Sequence, residues 1–239
     1  MTETFLDGRV QVTQLASGFR AGLDAVMLAA AVPARDRERA LELGAGAGTA
    51  SLCLKSRVPG VAVTGVEIDP ALVRLAAGNS AANGMANVAF TAADVFALPP
   101  NLKVDFDQVF CNPPFHGEGE VSPDAARAAA LMDDGWLRDW MKLGLQRTVS
   151  GGFFTAILRA DRLAEALSAL RERGVAVFPL WPRAGVAAKR VIVQARKGSR
   201  APFALLPGLI LHNESGGWTA EADAVLRCGA ALALDSARL

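Results

Sequence analysis

Residues 40–49 read ALELGAGAGT, a stretch in which an apolar strand runs directly into glycines at alternate positions and a helix begins after Thr49. Glycine permits positive φ and lacks the Cβ atom that would keep a ligand away from the backbone at the carboxyl end of a strand. The spacing Gly-x-Gly-x-Gly departs from the Gly-x-Gly-x-x-Gly of dinucleotide-binding proteins, which disfavours a nicotinamide cofactor and an oxidoreductase. The stretch predicts a ligand-binding loop, and the alternative is a tight strand-to-helix turn without a ligand.

From Ala40 onwards, short β-rich runs alternate with segments of helical periodicity, as expected for a sheet with crossover helices. Strands are predicted at residues 40–43, 61–67, 88–91, 107–111 and 152–158, and helices at residues 49–57, 70–83, 134–148 and 160–173. Two further strands, at residues 175–179 and 189–196, leave no room for a crossover helix and should pair antiparallel. We therefore predict an α/β, Rossmann-like fold with a seven-stranded, mostly parallel sheet that ends in an antiparallel hairpin.

Acidic residues follow the next two predicted strands. Glu67 ends the second strand, where its carboxylate can accept hydrogen bonds from both hydroxyls of a ribose. Asp69 stands before a proline, so we interpret it as the N-cap of the following helix. Asp94 can accept a hydrogen bond from an adenine amine, with Val95 or Phe96 beside the ring. The alternatives are a solvated strand end for Glu67 and a turn residue for Asp94.

The most specific motif is DQVFCNPPF at residues 107–115, a strand followed at once by Asn-Pro-Pro-Phe. Because the prolines restrict the backbone, the Asn112 side chain and the Pro113 carbonyl can form a rigid pair of acceptors. Two such acceptors could hold the hydrogens of an exocyclic amine and aim its lone pair at an electrophile, without a strong base. Phe115 could stack on a base that has left its nucleic acid. The alternative is a plain proline turn.

These motifs resemble those of the Asn-Pro-Pro-[Phe/Tyr] adenine-N6 methyltransferases, particularly the bacterial group that acts on valine tRNA. The resemblance extends to Gln14, to residues 18–24 (GFRAGLD) and to residues 28–30 (LAA), a region that closes over the cofactor in that family. It implies the class I methyltransferase fold, the cofactor S-adenosylmethionine and the product S-adenosylhomocysteine.

The resemblance also implies the roles of individual residues. The implied catalytic residues are Asn112, Pro113, Pro114 and Phe115. The implied cofactor-binding residues are Arg20, Asp24, Glu42, Gly44, Ala45, Gly46, Gly48, Glu67, Ile68, Asp94, Val95 and Asn112. For Arg20 and Asp24 the alternatives are an ordinary basic residue and a helix cap.

An RNA substrate, first of all tRNA, follows from the same resemblance. Candidate cations for its phosphates are Arg127 after Ala126, then Arg183, Lys189 and Arg190 around the predicted hairpin, and Arg196, Lys197 and Arg200 after it. One alternative is methylation of a protein glutamine amide or a small molecule, since an amide presents a similar planar nitrogen. Another is a non-catalytic RNA-binding module with the same fold.

Composition sets the outer limits of the prediction. The chain has 239 residues, 51% of them hydrophobic, and its 25 Lys and Arg nearly balance its 24 Asp and Glu. We predict a single methyltransferase domain over residues 1–239, with a cofactor-closing segment (1–39), a Rossmann-like core (40–200) and a C-terminal extension (201–239). Three cysteines and two histidines, widely spaced, predict no metal site. No apolar run is long enough for a membrane span, and a cytoplasmic protein is expected; the oligomeric state stays open.

Overall fold

The computed structural model describes residues 1–15, 20–114, 135–170 and 174–234. The described strands are β1 (Thr2–Phe5), β2 (Val10–Thr13), β3 (Arg39–Leu43), β4 (Ala62–Glu67), β5 (Val88–Ala92), β6 (Phe106–Cys111), β7 (Thr148–Arg159), β8 (Val175–Trp181), β9 (Arg190–Arg196), β10 (Ala204–Leu205) and β11 (Leu209–Ile210). The described α-helices are α1 (Leu23–Ala31), α2 (Thr49–Arg57), α3 (Pro70–Ala82), α4 (Trp136–Gln146), α5 (Leu163–Ala169) and α6 (Ala220–Leu226).

A single large sheet carries the fold, in the order β10-β8-β9-β7-β6-β3-β4-β5. Neighbouring strands from β7 to β5 pair parallel, and β9 pairs antiparallel with both β7 and β8. This confirms the predicted Rossmann-like class with its antiparallel final hairpin. The count of seven strands was too low, because the two-residue strands β10 and β11 both pair with β8 and raise it to nine.

The strand register brings the predicted motifs to one edge of the sheet. Leu43, the last residue of β3, is paired with Val66 of β4 and with Cys111 of β6, and Cys111 is paired with Ala156 of β7. On the other side, Glu67 is paired with Ala92 of β5. The loops that follow β3, β4, β5 and β6 therefore all leave from the carboxyl edge, where open α/β sheets bind ligands.

Helices cover both faces of the sheet. Consecutive residues of the central strands enter different buried clusters: Phe110 packs with α1 and α2, whereas Val109 and Cys111 pack with α4 and α5. This alternation follows from the two-residue period of a strand, and it gives a three-layer arrangement with two cores.

Helix boundaries follow local signals closely. The α2 helix has the predicted bounds, and α3 begins where the Asp69 carboxylate accepts a hydrogen bond from the Ala71 amide, as the Asp-Pro pair predicts. The helix predicted at 160–173 is a 3-10 turn, Ala160–Arg162, followed by α5. Within the described ranges, no helix is both long and apolar enough to cross a membrane.

Two additions flank the core. The β1–β2 hairpin, which the sequence did not predict, packs against α3, and the chain after β9 adds β10, β11 and α6 beside β8 and α1. The carbonyl of Arg227, just after α6, accepts a hydrogen bond from Arg9 at the hairpin turn. The first and last parts of the described chain therefore contact each other.

Candidate active site

The loop after β3 has the backbone that its glycines predict. Gly44, Gly46 and Gly48 have φ of +71°, +55° and +85°. A Cβ atom at Gly48 would lie 2.7 Å from Cζ of Phe90, and one at Gly44 would lie 2.9 Å from Cη2 of Trp140. At Gly46, by contrast, a Cβ atom would meet no heavy atom within 4 Å, so the loop opens at this residue. The outer two glycines serve packing, and the middle one faces space that a ligand can fill.

Glu67 holds the same loop from the end of β4. One carboxylate oxygen accepts a hydrogen bond from the Gly46 amide at 2.8 Å, and the other accepts from the amides of Ile68 at 2.9 Å and Asp69 at 3.1 Å. Each carboxylate oxygen has two lone pairs, so one acceptor position is left, on the oxygen that faces Gly46. The Glu67 carboxylate can therefore accept one hydrogen bond from a ribose hydroxyl while it also holds the glycine loop.

Glu42 lies in the core rather than at the surface of this pocket. Its carboxylate accepts hydrogen bonds from the amide and the hydroxyl of Ser51 in the first turn of α2, and the side chain is only 3% exposed. Burial raises the pKa of Glu42 to about 8, against the lowering effect of these hydrogen bonds. The buried carboxyl thus joins β3 to α2 on either side of the glycine loop.

Apolar side chains follow the acidic strand ends. Ile68, directly after Glu67, is 69% exposed, and Phe96, just beyond β5, is 50% exposed. Asp94 accepts a hydrogen bond from the Phe96 amide at 2.9 Å and so caps a short 3-10 turn. Val95, the first residue of that turn, is buried. Asp94 is thus a turn residue in the structure, and it still lies at the edge where an adenine contact was predicted.

Asn112 comes directly after β6 and has an unusual environment. Its side-chain oxygen Oδ1 is buried, and it receives no hydrogen bond within the parts of the chain that are described. Pro113 is buried and Pro114 is exposed. Phe115, predicted to stack on the target base, lies outside the described residues. A buried acceptor without a donor is costly, so an acceptor that has no donor within the described ranges is suited to a hydrogen bond from a ligand.

A small cavity of about 80 Å³ adjoins the two prolines. It is lined by Pro113, Pro114, Trp136, Leu137, Leu158, Arg159, Asp161 and Arg162. Trp136, which lines the cavity, packs against Trp140 of α4 with ring centroids 5.5 Å apart. Trp140 in turn meets Phe96 edge-on at 6.1 Å. The Trp140 indole N–H is buried without an acceptor among the described residues. Trp136 and Trp140 were not among the predicted site residues, although their spacing of four residues on one helix places them on one face.

The two N-terminal residues implied by the resemblance are held by protein groups. Arg20 forms an ion pair with Glu3 of β1, and Asp24 forms one with Arg190 of β9 at 2.8 Å. Asp24 lies in the first turn of α1 and does not cap it, since the N-cap is Gly22 and no side chain caps that helix. Their direct contact with a cofactor stays a prediction.

The candidate RNA-facing cations divide between two edges of the sheet. Arg183 and Lys189 lie between β8 and β9, at the carboxyl edge, and Arg190 begins β9 opposite Arg159. Arg196 ends β9 opposite Phe153, six residues away along the strand, and Lys197 donates hydrogen bonds to the carbonyls of Gln146 and Thr148. Arg196, Lys197 and Arg200 therefore lie towards the amino edge, remote from Asn112, and Arg127 lies outside the described residues.

Two of the three cysteines are buried and are not expected to act as nucleophiles. Burial raises the pKa of Cys53 to about 12 and that of Cys111 well above its usual value, so both are neutral thiols at physiological pH. The described residues contain no group of three or more acidic, histidine or cysteine side chains placed to hold a metal ion.

Fold and site together resemble those of the class I methyltransferases. The family model described as a methyltransferase small domain matches residues 20–135, which span the glycine loop, Glu67, Asp94 and the Asn-Pro-Pro turn. A solved structure described as a predicted O-methyltransferase from Agrobacterium tumefaciens superposes with a TM-score of 0.72 at 27% identity, covering 89% of this chain and 99% of that one.

The predicted resemblance is confirmed among curated proteins. The tRNA1(Val) (adenine(37)-N6)-methyltransferase of Yersinia enterocolitica is 29% identical over 154 residues, covering 63% of this chain and 61% of that protein. The protein of the same name from Dickeya chrysanthemi is 34% identical over 113 residues, covering 46% of this chain and 45% of that one. The chain thus spans about half to three fifths of the length of these relatives.

Proposed function

We propose that this protein is an S-adenosylmethionine-dependent methyltransferase that methylates the exocyclic amine of an adenine in RNA, with tRNA as the first candidate. One observation carries the proposal: the buried Asn112 side-chain oxygen, which has no hydrogen-bond partner among the described residues, stands directly after β6, next to the strand that leads into the glycine loop. An acceptor of this kind suits a ligand that brings a donor, and an amine does so.

The residues at the edge suit the cofactor. The open space at Gly46 admits a ligand close to the backbone, the remaining lone pair of Glu67 can accept a hydroxyl hydrogen, and the exposed side chain of Ile68 offers an apolar surface for an adenine ring. Gly44, Ala45, Gly48, Asp94 and Val95 complete the proposed set, with Glu42 supporting it from below. When bound, S-adenosylmethionine supplies an electrophilic methyl group and leaves as S-adenosylhomocysteine.

Asn112 and Pro113 would hold the target nitrogen. An amine has two hydrogens, which can occupy the Asn112 side-chain oxygen and the Pro113 carbonyl together, whereas a hydroxyl has only one hydrogen to offer. When both acceptors are filled, the nitrogen lone pair is free to point away from them. The two hydrogen bonds strengthen as positive charge develops on the nitrogen. This favours N-methylation, in contrast to the O-methylation named for the Agrobacterium protein.

RNA as the carrier of the adenine rests on the names of the curated relatives and on the carboxyl-edge cations. Arg183 and Lys189 lie on the same side of the sheet as Asn112, where they can contact phosphates. A tRNA substrate places the protein in the cytoplasm. The single-domain division into residues 1–39, 40–200 and 201–239, and the roles of Pro114, Phe115, Arg20 and Asp24, belong to this same proposal.

Methyl transfer from labelled S-adenosylmethionine into separated RNA and protein fractions tests the proposal. We expect label in RNA, recovered as N6-methyladenosine after digestion to nucleosides. Label found only in protein would contradict adenine as the substrate and would favour a glutamine amide, a second candidate that the same pair of acceptors could hold. RNA binding without any transfer would indicate a non-catalytic module.

Titration with S-adenosylhomocysteine and with NAD separates the cofactor from the reaction. Binding of S-adenosylhomocysteine alone is the expected result. Binding of NAD alone would overturn the assignment of the cofactor.

A further inference from the structure

The side chain of Asn79 makes three hydrogen bonds that join two separate parts of the molecule. Its oxygen accepts from the Thr13 amide at 2.9 Å, and its nitrogen donates to the Thr13 carbonyl at 2.9 Å. The same nitrogen donates to the carbonyl of Ala47, inside the glycine loop, also at 2.9 Å. Asn79 is only 3% exposed, so these bonds are shielded from water.

A neighbouring asparagine makes the corresponding pair of hydrogen bonds to another residue of β2. Asn83, the C-cap of α3, accepts a hydrogen bond from the Gln11 amide at 2.9 Å and donates to the Gln11 carbonyl, and it also donates to the backbone carbonyl of Asn79. Gln11 and Thr13 are two residues apart, so their backbone groups point to the same side of β2. The two amide side chains therefore complete the outer edge of the hairpin, and only Asn79 continues to the glycine loop.

The connection extends beyond β2. Gln14 follows Thr13, and its side chain accepts from the Ala21 amide at 2.7 Å and donates to the Ala21 carbonyl at 2.9 Å. It also donates to Glu3, which pairs with Arg20. The chain leading into α1 is thereby attached to the hairpin, and through Asn79 the hairpin is attached to the glycine loop.

We propose that Asn79 is a positioning residue that holds the N-terminal hairpin in register with the cofactor loop, so that the two form one pocket wall. This inference rests on the proposed function for the identity of the ligand. It assigns to Asn79 no contact with cofactor or substrate. Its expected role is in affinity for the cofactor, and the methyl-transfer step itself should not depend on it.

The test compares Asn79→Ala with Asn83→Ala in the full chain. Each variant loses two hydrogen bonds to one hairpin residue and one further bond, which goes to the Ala47 carbonyl in Asn79→Ala and to the Asn79 backbone carbonyl in Asn83→Ala. We expect Asn79→Ala to weaken S-adenosylhomocysteine binding about tenfold in calorimetry, the effect of one to two buried hydrogen bonds, and Asn83→Ala to change it less than about twofold. Equal effects of the two variants would overturn the inference.

Kinetics and amide exchange provide readouts that general destabilisation would not mimic. We expect Asn79→Ala to raise KM for S-adenosylmethionine and leave kcat within about twofold, because the amine-binding turn is untouched. In the ligand-free protein, it should speed hydrogen exchange at residues 44–48 as well as at Thr13, whereas Asn83→Ala should act at Gln11 and at the end of α3 and leave residues 44–48 unchanged. Unchanged exchange at residues 44–48 would contradict the proposal.

A second variant and the ligand binding of the wild-type protein complete the test. Asn79→Ser introduces no charge, and its short hydroxyl can replace at most part of the three hydrogen bonds, so it replaces Asn79→Ala if that variant does not fold. Wild-type protein that binds no S-adenosylhomocysteine would overturn the proposed function, and the exchange measurement would still decide whether Asn79 links hairpin and loop.

Discussion

The glycine loop and the Asn-Pro-Pro turn leave neighbouring strands of one sheet, yet their polar groups are in opposite situations. In the loop, the amides of Gly44 and Ala45 donate to Val66, that of Gly46 donates to Glu67, and the Ala47 carbonyl accepts from Asn79. In the turn, the Asn112 side-chain oxygen is buried without a partner in the described chain. A loop that these hydrogen bonds hold in place is a rigid platform for binding, and an acceptor without a donor in the described part of the turn suits a ligand that changes during the reaction.

The largest effect expected from this contrast is at the turn. Asn112→Ala should lower kcat by about 100- to 1000-fold, the usual loss when one preorganised hydrogen-bonding group for the transition state is removed. Binding of S-adenosylhomocysteine should be only weakened, because the loop keeps its own bonds. Single-turnover kinetics with labelled cofactor measure the first quantity and calorimetry the second. Near-normal turnover would remove the proposed role of Asn112.

Next in size is a pH effect beneath the loop. With a folded pKa of about 8 against an ordinary 4.5, Glu42 keeps its proton in the folded state over a range where the unfolded chain has lost it. The free energy of unfolding should therefore fall as pH rises from about 5 to 8, and level off above that. In Glu42→Gln this contribution should vanish, since the amide cannot ionise. Urea titrations at several pH values measure the slope, and identical slopes in both proteins would contradict the assignment.

Glu67→Gln addresses the charge that faces the loop. The isosteric amide keeps one oxygen, but its NH2 group can no longer accept a hydrogen bond from a backbone amide or a ribose hydroxyl. We expect S-adenosylhomocysteine affinity to fall about tenfold, with kcat at saturating cofactor changed far less. Asp69→Asn is the matched control, since its carboxylate caps α3. A larger loss of affinity in the control would assign the ribose contact to Asp69 instead.

The smallest effect separates two glycines of the same loop. Gly46→Ala meets no atom and should cost only about 1 kcal/mol of stability for its positive φ, whereas it should reduce cofactor affinity measurably. Gly48→Ala brings a methyl group 2.7 Å from the Phe90 ring and should destabilise the fold by more than Gly46→Ala does. Thermal unfolding with and without S-adenosylhomocysteine checks both. Equal stabilisation of Gly46→Ala and wild type by the ligand would show that Gly46 does not face it.

The sequence predicted the core of the fold because local signals there agree with tertiary packing. Helix α2 was found with its bounds, β3 to within one residue and α3 with its first residue, since glycine spacing and an Asp-Pro cap are local features. The β1–β2 hairpin was missed because its outer edge is completed by asparagines about 70 residues away, which no local pattern reveals. Strands β10 and β11 are too short to carry a period of two.

The site was predicted in its residue types more than in its hydrogen bonds. Glu67 and Asn112 lie at the expected edge, but only the structure shows that Glu67 already holds three backbone amides and that Glu42 bonds to Ser51. The structure places the cations of the final hairpin at two edges, because a strand of seven residues carries its two ends to opposite edges of the sheet.

The uneven burial of the three cysteines has a practical consequence. Cys53 and Cys111 are buried with raised pKa, whereas Cys228, just beyond α6, is exposed. A thiol reagent should therefore modify the folded protein once and the unfolded chain three times. A fluorophore attached at Cys228 would leave Asn112 and the glycine loop unmodified, and the count of modified thiols would report what fraction of any variant is folded.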